Sequence, residues 1–395
     1  MNNNIGIACK ITTGKLDANQ AIQNGQYPFY TCAEFPDTID SFAFDDDVVL
    51  VAGNNAKGNF HVNRFKGKFN AYQRTYVLTA KKGFDIDFIY YSLKLELKRL
   101  KEKSQGSQTK FLTMPILQNI GLKNLSESEQ KQISSVLSTL DEKIALNNQI
   151  NATLEQMAKT LYDYWFVQFD FPDDNGKPYK SSGGEMVYNE ILKREIPKGW
   201  EVDSLANLSI FIRRGISPIY SENEQGLLVL NQKCIRNQTI NFDFARRDVK
   251  NRILDTERYL AKYDILINST GVGTLGRVAF IKRLPEENVI YDSHVTAVRC
   301  NSKIIKPLVL SLAMLRNQSL IETAANGSTG QVELSRNFLE ELLIIKPNDM
   351  IQDKFTVFAA PIFEKVAVNE MENEHLLNLR DWLLPMLMNG QVTVQ

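Results

Sequence analysis

Gly271-Val272-Gly273-Thr274-Leu275-Gly276 carries the spacing of a dinucleotide-binding turn. In such a turn glycines let the backbone approach a pyrophosphate, and a helix starting at the loop aims its positive end at the charge. Asp264-Ile265-Leu266-Ile267 before it reads as a strand, but Arg277-Val278-Ala279-Phe280-Ile281 after it reads as a second strand, not a helix. The sequence therefore predicts a glycine-rich hairpin, and a nucleotide-dependent oxidoreductase has only this spacing in its favour. The sequence lacks a phosphate loop ending in Gly-Lys before Ser or Thr, and an Asn-Pro-Pro or Asp-Pro-Pro tripeptide before Phe or Tyr. Neither ATP hydrolysis nor methyl transfer is expected. His61, His294 and His375 are isolated in sequence, and Cys9, Cys32, Cys234 and Cys300 are far apart with no close pair. They read as reduced thiols, with no zinc site or redox dithiol. No catalytic residue, metal or cofactor is expected.

Charge bears on a different chemistry, the neutralisation of phosphates. The formal net charge is zero, which on its face argues against a nucleic-acid partner. Its distribution argues the other way. Residues 1–125 hold 16 basic against 11 acidic side chains, residues 126–170 hold 3 against 7, and residues 171–195 hold 4 against 5. Residues 196–348 then hold 20 against 16, and residues 349–395 hold 3 against 7. Basic and acidic stretches alternate. The hydrophobic share of 43% and charged share of 23% are those of a globular protein long enough for two or three domains. No run of eighteen apolar residues predicts a membrane span. Met1-Asn2-Asn3-Asn4 lacks the basic start of a secretory signal, so a cytoplasmic location is expected.

The elements that would position such charges are written twice. Moving back 222 positions from Leu334–Leu342 lands on Leu112–Ile120 with four apolar matches, and pairs Gln130 with Gln352, Lys143 with Lys365, Leu154 with Leu376 and Leu161 with Leu383. Each tail then repeats apolar residues at heptad spacing, which predicts a long helix paired with another. The columns are Ile133, Leu140, Asn147, Leu154, Leu161 and Phe355, Ile362, Asn369, Leu376, Leu383. Each has one Asn at its centre, and a lone polar residue there fixes register at a cost in stability. Ser126-Glu127-Ser128-Glu129 is a start signal for the first helix. About forty helical residues would span roughly 60 Å, the dimension of a spacer. Pro361 is expected to kink or loosen the second helix.

Ahead of each helix lie segments with short strands: Val48–Val51 with Tyr76–Leu78, and Asp264–Ile267 with Val295–Val298. The expected fold is mixed α/β: two strand-rich domains separated by two long antiparallel coiled-coil helices, with an internal pseudo-two-fold repeat. Its boundaries are a first domain over 1–125, a helix over 126–170, a linker over 171–195, a second domain over 196–348 and a helix over 349–390.

Four stretches together resemble the specificity subunits of type I restriction-modification systems. They are Leu161–Pro172 (LYDYWFVQFDFP), Ile196–Trp200 (IPKGW), Ser269–Arg277 with Asp292–Thr296, and Gly327–Gly330 (GSTG). The resemblance covers nearly the whole chain. It implies a non-catalytic subunit whose two target-recognition domains each read one half of a split double-stranded DNA target. It also implies two methyltransferase partners, restriction or translocase partners, and no membrane. One departure is visible: the first copy begins almost at its first strand, near Ile7 to Gly14, so its edge is expected to be trimmed.

For DNA contact the choice falls on basic, amide and hydroxyl residues at loop-like positions, because Arg and Lys reach phosphate and guanine while Asn and Gln can read adenine. In the first domain these are Asn54, Asn55, Lys57, Arg64, Lys66, Lys68, Gln73, Arg74, Ser107, Gln108 and Lys110. In the second they are Lys233, Arg246, Arg247, Ser269, Thr270, Arg277, His294, Ser328, Thr329 and Gln331. The competing expectation is a coiled-coil scaffold with protein-binding domains, which leaves the basic charge of both domains unexplained.

Overall fold

The run Asp47-Val48-Val49-Leu50-Val51-Ala52 has too few polar positions for a strand with one wet face, and Val48 to Ala52 are all buried. In the computed structural model, which describes residues 3–54, 60–103, 111–221, 225–249, 254–271, 273–325 and 333–394, this run belongs to a strand at the centre of a six-stranded sheet. The chain divides into two compact units, residues 1–147 with 372–395 and residues 148–371.

In the first unit the strands lie in the order Cys9–Thr13, Thr75–Ala80, Phe44–Ala52, Val62–Ala71, Tyr27–Tyr30, Asp37–Ile39. Tyr27–Tyr30 runs parallel to Val62–Ala71, and the other neighbours are antiparallel. Val49, Val51 and Leu78 face the helix Ile86–Lys103, which buries Phe88, Ile89 and Leu93 against them. Val48, Leu50 and Val77 face an aromatic cluster of Tyr30, Phe65 and Phe69.

In the second unit a four-stranded sheet takes the order Ser209–Arg214, Val295–Cys300, Ile265–Asn268, Val278–Phe280. All its pairs are antiparallel, as are those among the first four strands of the other unit. Ile265–Asn268 and Val278–Phe280 form a hairpin around the glycine-rich segment, with no helix starting among its described residues. A nucleotide site therefore lacks its dipole. The motifs Leu161–Pro172 and Ile196–Trp200 meet in one aromatic core, where Trp200 stacks on Phe171 at 5.0 Å and touches Phe166 at 5.8 Å and Phe169 at 5.6 Å.

The two longest helices are Glu127–Tyr162 and Asp349–Asn389. The first starts with a reciprocal cap, the Ser126 amide donating to Glu129 Oε2 (2.8 Å) and the Glu129 amide to Ser126 Oγ (3.3 Å), and ends in a wider π turn over Asp163–Val167. In the first unit Asp141 meets Arg380 (2.7 Å) while Asn147 meets Asn373 (2.9 Å). In the second, Asn151 meets Asn369 (2.8 Å) while Tyr162 packs on Phe355. Numbers rise on one helix as they fall on the other, so the helices run antiparallel in both units.

Three details of the helices refine the heptad pattern. Asn147 and Asn369 are both buried, and each donates to the Asn four residues beyond the other's column position. The strict heptad also drifts. Ile133, Asn147, Phe355 and Asn369 are buried, whereas Leu140, Leu154, Leu161, Ile362, Leu376 and Leu383 are half-buried. Inward positions include Leu137, Ala158, Ala359, Phe363 and Val366, because a straight helix turns every 3.6 residues and slides past a repeat of seven. Finally, the helix runs unbroken through Pro361. Pro361 is exposed, as is Val357, so the carbonyl it leaves without a helical donor lies on the solvent side.

Candidate nucleic-acid interface

Three chain segments converge at the end of the central strand in each unit, held by the same backbone bonds. In the first, the Gly53 amide donates to Arg74 O (2.8 Å), Leu112 to Gly53 O (3.0 Å), Tyr72 to Tyr30 O (2.9 Å) and Thr75 to Tyr72 O (2.8 Å). In the second, Ser269 donates to His294 O (2.9 Å), Leu334 to Ser269 O (2.9 Å), Asp292 to Leu230 O (2.9 Å) and Val295 to Asp292 O (3.1 Å). Two glycines let the first strand of each sheet pass beneath. A Cβ on Gly14 would fall 1.9 Å from Ala71 O, and one on Gly215 would fall 2.1 Å from Tyr291 O. No larger residue fits there without backbone movement.

On this frame the side chains differ. The first junction presents Asn54, half-buried, and Gln73 and Arg74, exposed, with Gln73 Nε2 donating to Asp17 (2.7 Å). The second presents Thr270 and exposed His294, whose Nδ1 lies 2.6 Å from Thr270 Oγ1. Beneath them Asp292 is buried; its carboxylate accepts from the His294 amide (2.9 Å) and the Tyr220 hydroxyl (3.0 Å). Burial pushes the Asp292 carboxyl above its ordinary range, against the pull of those two donors. The Arg246 guanidinium lies 3.8 Å from the centre of the Tyr220 ring. A polar chain thus runs from Arg246 through Tyr220 and Asp292 to His294 and Thr270.

Of the residues chosen from sequence, the structure gathers Asn54, Gln73 and Arg74 in one junction and Ser269, Thr270 and His294 in the other. Ser269 is a correction: it is fully buried, its hydroxyl 2.5 Å from Thr296 Oγ1, so it supports the loop from below. Arg64 is held by Asp47 and by Asp87 (2.6 Å), which keep its guanidinium above its ordinary pKa although burial works against it. Arg247 grips Glu286 with both terminal nitrogens (2.6 and 2.8 Å), and Arg277 donates to Gly273 O (2.8 Å). These three are committed within the protein. Lys66, Lys68 and Lys233 are exposed, with Lys68 over the Phe42 ring. Asn55, Lys57, Ser107, Gln108, Lys110, Ser328, Thr329 and Gln331 lie outside the described residues.

Residues 5–156 match the family model described as the type I restriction modification DNA specificity domain. The specificity subunit of type I restriction enzyme EcoDI from Escherichia coli is 41% identical over 40% of this chain and 34% of its own length. That of MjaIX from Methanocaldococcus jannaschii is 27% identical over 80% of this chain and 72% of its own. The chain is thus similar to type I restriction-modification specificity subunits, with the family model confined to residues 5–156. A solved type I S subunit from M. genitalium shares the fold, with a TM-score of 0.58 at 16% identity over 98% of this chain and 95% of its own. The match to the EcoDI subunit thus spans about a third of that relative's length. Among the described residues no helix is long and apolar enough to cross a membrane.

Sequence reasoning missed Tyr220 and Asp292. Asp292 stood inside the quoted Asp292–Thr296 stretch, and an acid two residues before a histidine in a strand-leading turn was the available signal. Tyr220 had none, because its role comes from a strand pairing made elsewhere.

Proposed function

We propose that this chain is the DNA-recognition subunit of a type I restriction-modification enzyme, itself non-catalytic, reading a two-part double-stranded target. In this reading residues 1–125 and 196–348 are target-recognition domains, each facing one half-site. The helices over 126–170 and 349–390 form an antiparallel coiled-coil spacer, and residues 171–195 link the halves. Two methyltransferase subunits and the restriction or translocase subunits supply the chemistry in the cytoplasm.

The observation that carries the reading is the duplicated junction. A frame built twice from the same hydrogen bonds, with different side chains exposed on each copy, suits a reader of two different half-sequences. The helix contacts support the internal repeat behind it. A shift of 222 carries Asn147 to Asn369 and Asn151 to Asn373, and so relates the Asn147–Asn373 pair to the Asn369–Asn151 pair. Gln130 and Gln352 likewise donate to Leu125 O and Pro347 O and accept the amides of Asp85 and Lys306, each preceding a domain helix.

The test is co-expression with type I methyltransferase subunits and genome-wide mapping of methylated adenines. A split motif with a fixed gap is expected. A continuous motif, or none from an assembled and active complex, overturns the reading.

A further inference from the structure

The match between the two junctions allows a step beyond a general DNA-recognition role, on which it rests. We infer that bases are discriminated at two equivalent positions in each domain, Asn54 and Arg74 in the first and Thr270 and His294 in the second.

The backbone at these positions is fixed by the same bonds: the amide at the end of the central strand donates to the carbonyl of Arg74 in one domain and of His294 in the other. Asn54 and Thr270 follow that strand end and make equivalent single bridges, to Phe111 and to Glu333. A rigid frame presents the tips at fixed positions, and what varies between the copies is the hydrogen-bonding chemistry. Arg74 offers a planar fork that suits the two acceptors of guanine, and Asn54 offers the donor and acceptor that suit adenine. His294 has Nδ1 engaged by Thr270, which leaves Nε2 as a single outward contact. The first domain is therefore equipped for paired contacts and the second for single ones.

Three of the other basic candidates are occupied. Arg64, Arg247 and Arg277 have acceptors within the protein, and Asp292 and Tyr220 sit behind His294 as positioning residues. The two domains accordingly differ in strength: replacing a bidentate reader removes more discrimination than replacing a single contact.

The experiment compares adenine methylation maps for the assembled enzyme carrying the wild-type chain, Arg74→Ala or His294→Ala. If the wild type lacks a split motif, the recognition role itself fails. Given a split motif, Arg74→Ala is expected to relax one base pair of one half-site by roughly tenfold or more. His294→Ala should relax one base pair of the other half-site by a smaller factor. Unchanged motifs, or both variants acting on the same half-site, overturn the inference. Should an alanine variant abolish methylation, Arg74→Lys and His294→Asn decide. An altered base preference confined to the corresponding half-site supports the assignment, whereas an unaltered motif or loss of methylation from a folded, assembled complex defeats it.

Discussion

Thr75 in the first domain and Asp292 in the second solve the same mechanical problem with different chemistry. The Thr75 hydroxyl reaches the carbonyls of Tyr30 (3.1 Å) and Thr31 (3.2 Å), tying the turn to the neighbouring strand above an aromatic floor. In the second domain the buried Asp292 carboxylate gathers a tyrosine hydroxyl and a backbone amide. The edges differ as well. Glu201–Ser204 pairs with Leu343–Lys346 over four residues, whereas the first domain has a single bridge from Asn4 to Gly121. Among the described residues of that edge Ile5 also donates to Ile120 O and Leu122 to Asn3 O. The comparison teaches that the retained feature is the hydrogen-bonded frame, and that its supports are interchangeable.

The sharpest way to break the comparison is at the glycines. Gly14→Ala and Gly215→Ala each place a methyl against a backbone carbonyl, so both should cost about 3 kcal/mol in urea unfolding. A loss below about 0.5 kcal/mol at either site would show that the two frames are not equally tight. Next comes Asp292→Ala, which strips the partner from a buried hydroxyl and should cost about 2 kcal/mol, against about 1 kcal/mol for Thr75→Val. Equal losses would erase the proposed difference in support.

Asp292 also sharpens the comparison through pH. Its folded-state pKa is raised, so the folded protein takes up this proton more readily than the unfolded chain, and the associated stability is lost as pH rises through the folded value. On acidification from neutral pH, wild type should therefore gain stability relative to Asp292→Asn. No such trend is expected for Thr75→Val, and melting curves across the carboxylate range would show a constant gap if Asp292 were ordinary.

A smaller effect concerns the helices. Replacing Asn147 and Asn369 with Leu was expected from sequence to raise thermal stability and loosen register, yet Asn373 and Asn151 would then lose the donors they accept from. The double variant should accordingly lose about 1 kcal/mol per site, and only replacement of all four Asn should stabilise. A higher melting temperature for the double variant would contradict the pairing. The smallest effect lies at the surface: Lys66→Gln with Lys68→Gln should leave folding unchanged and reduce the salt slope of DNA binding by about 1 to 2. An unchanged slope would remove that strand from the phosphate path.

Much of this was legible in residue order. Heptad spacing and the Ser126–Glu129 signal located the long helices, and strand chemistry after Gly276 excluded a nucleotide turn, because local periodicity and capping are properties of neighbouring residues. Pairing was not legible to the same degree. The column placed Asn147 and Asn369 at equivalent positions, but helical drift set each against a different Asn.

The sequence by itself determined the shift of 222 that relates its two tails, the kinds of element ahead of each, and the surplus of basic side chains over residues 1–125 and 196–348. Only the tertiary structure decided which of those side chains are available. Arg64 and Arg247 look as free in sequence as Arg74, yet Asp47, Asp87 and Glu286 reach them from distant positions along the chain. Ser269 looks like a loop residue until Thr296 is folded onto it. Burial and ion pairing are long-range facts, set by which strands become neighbours, and no local spacing encodes them.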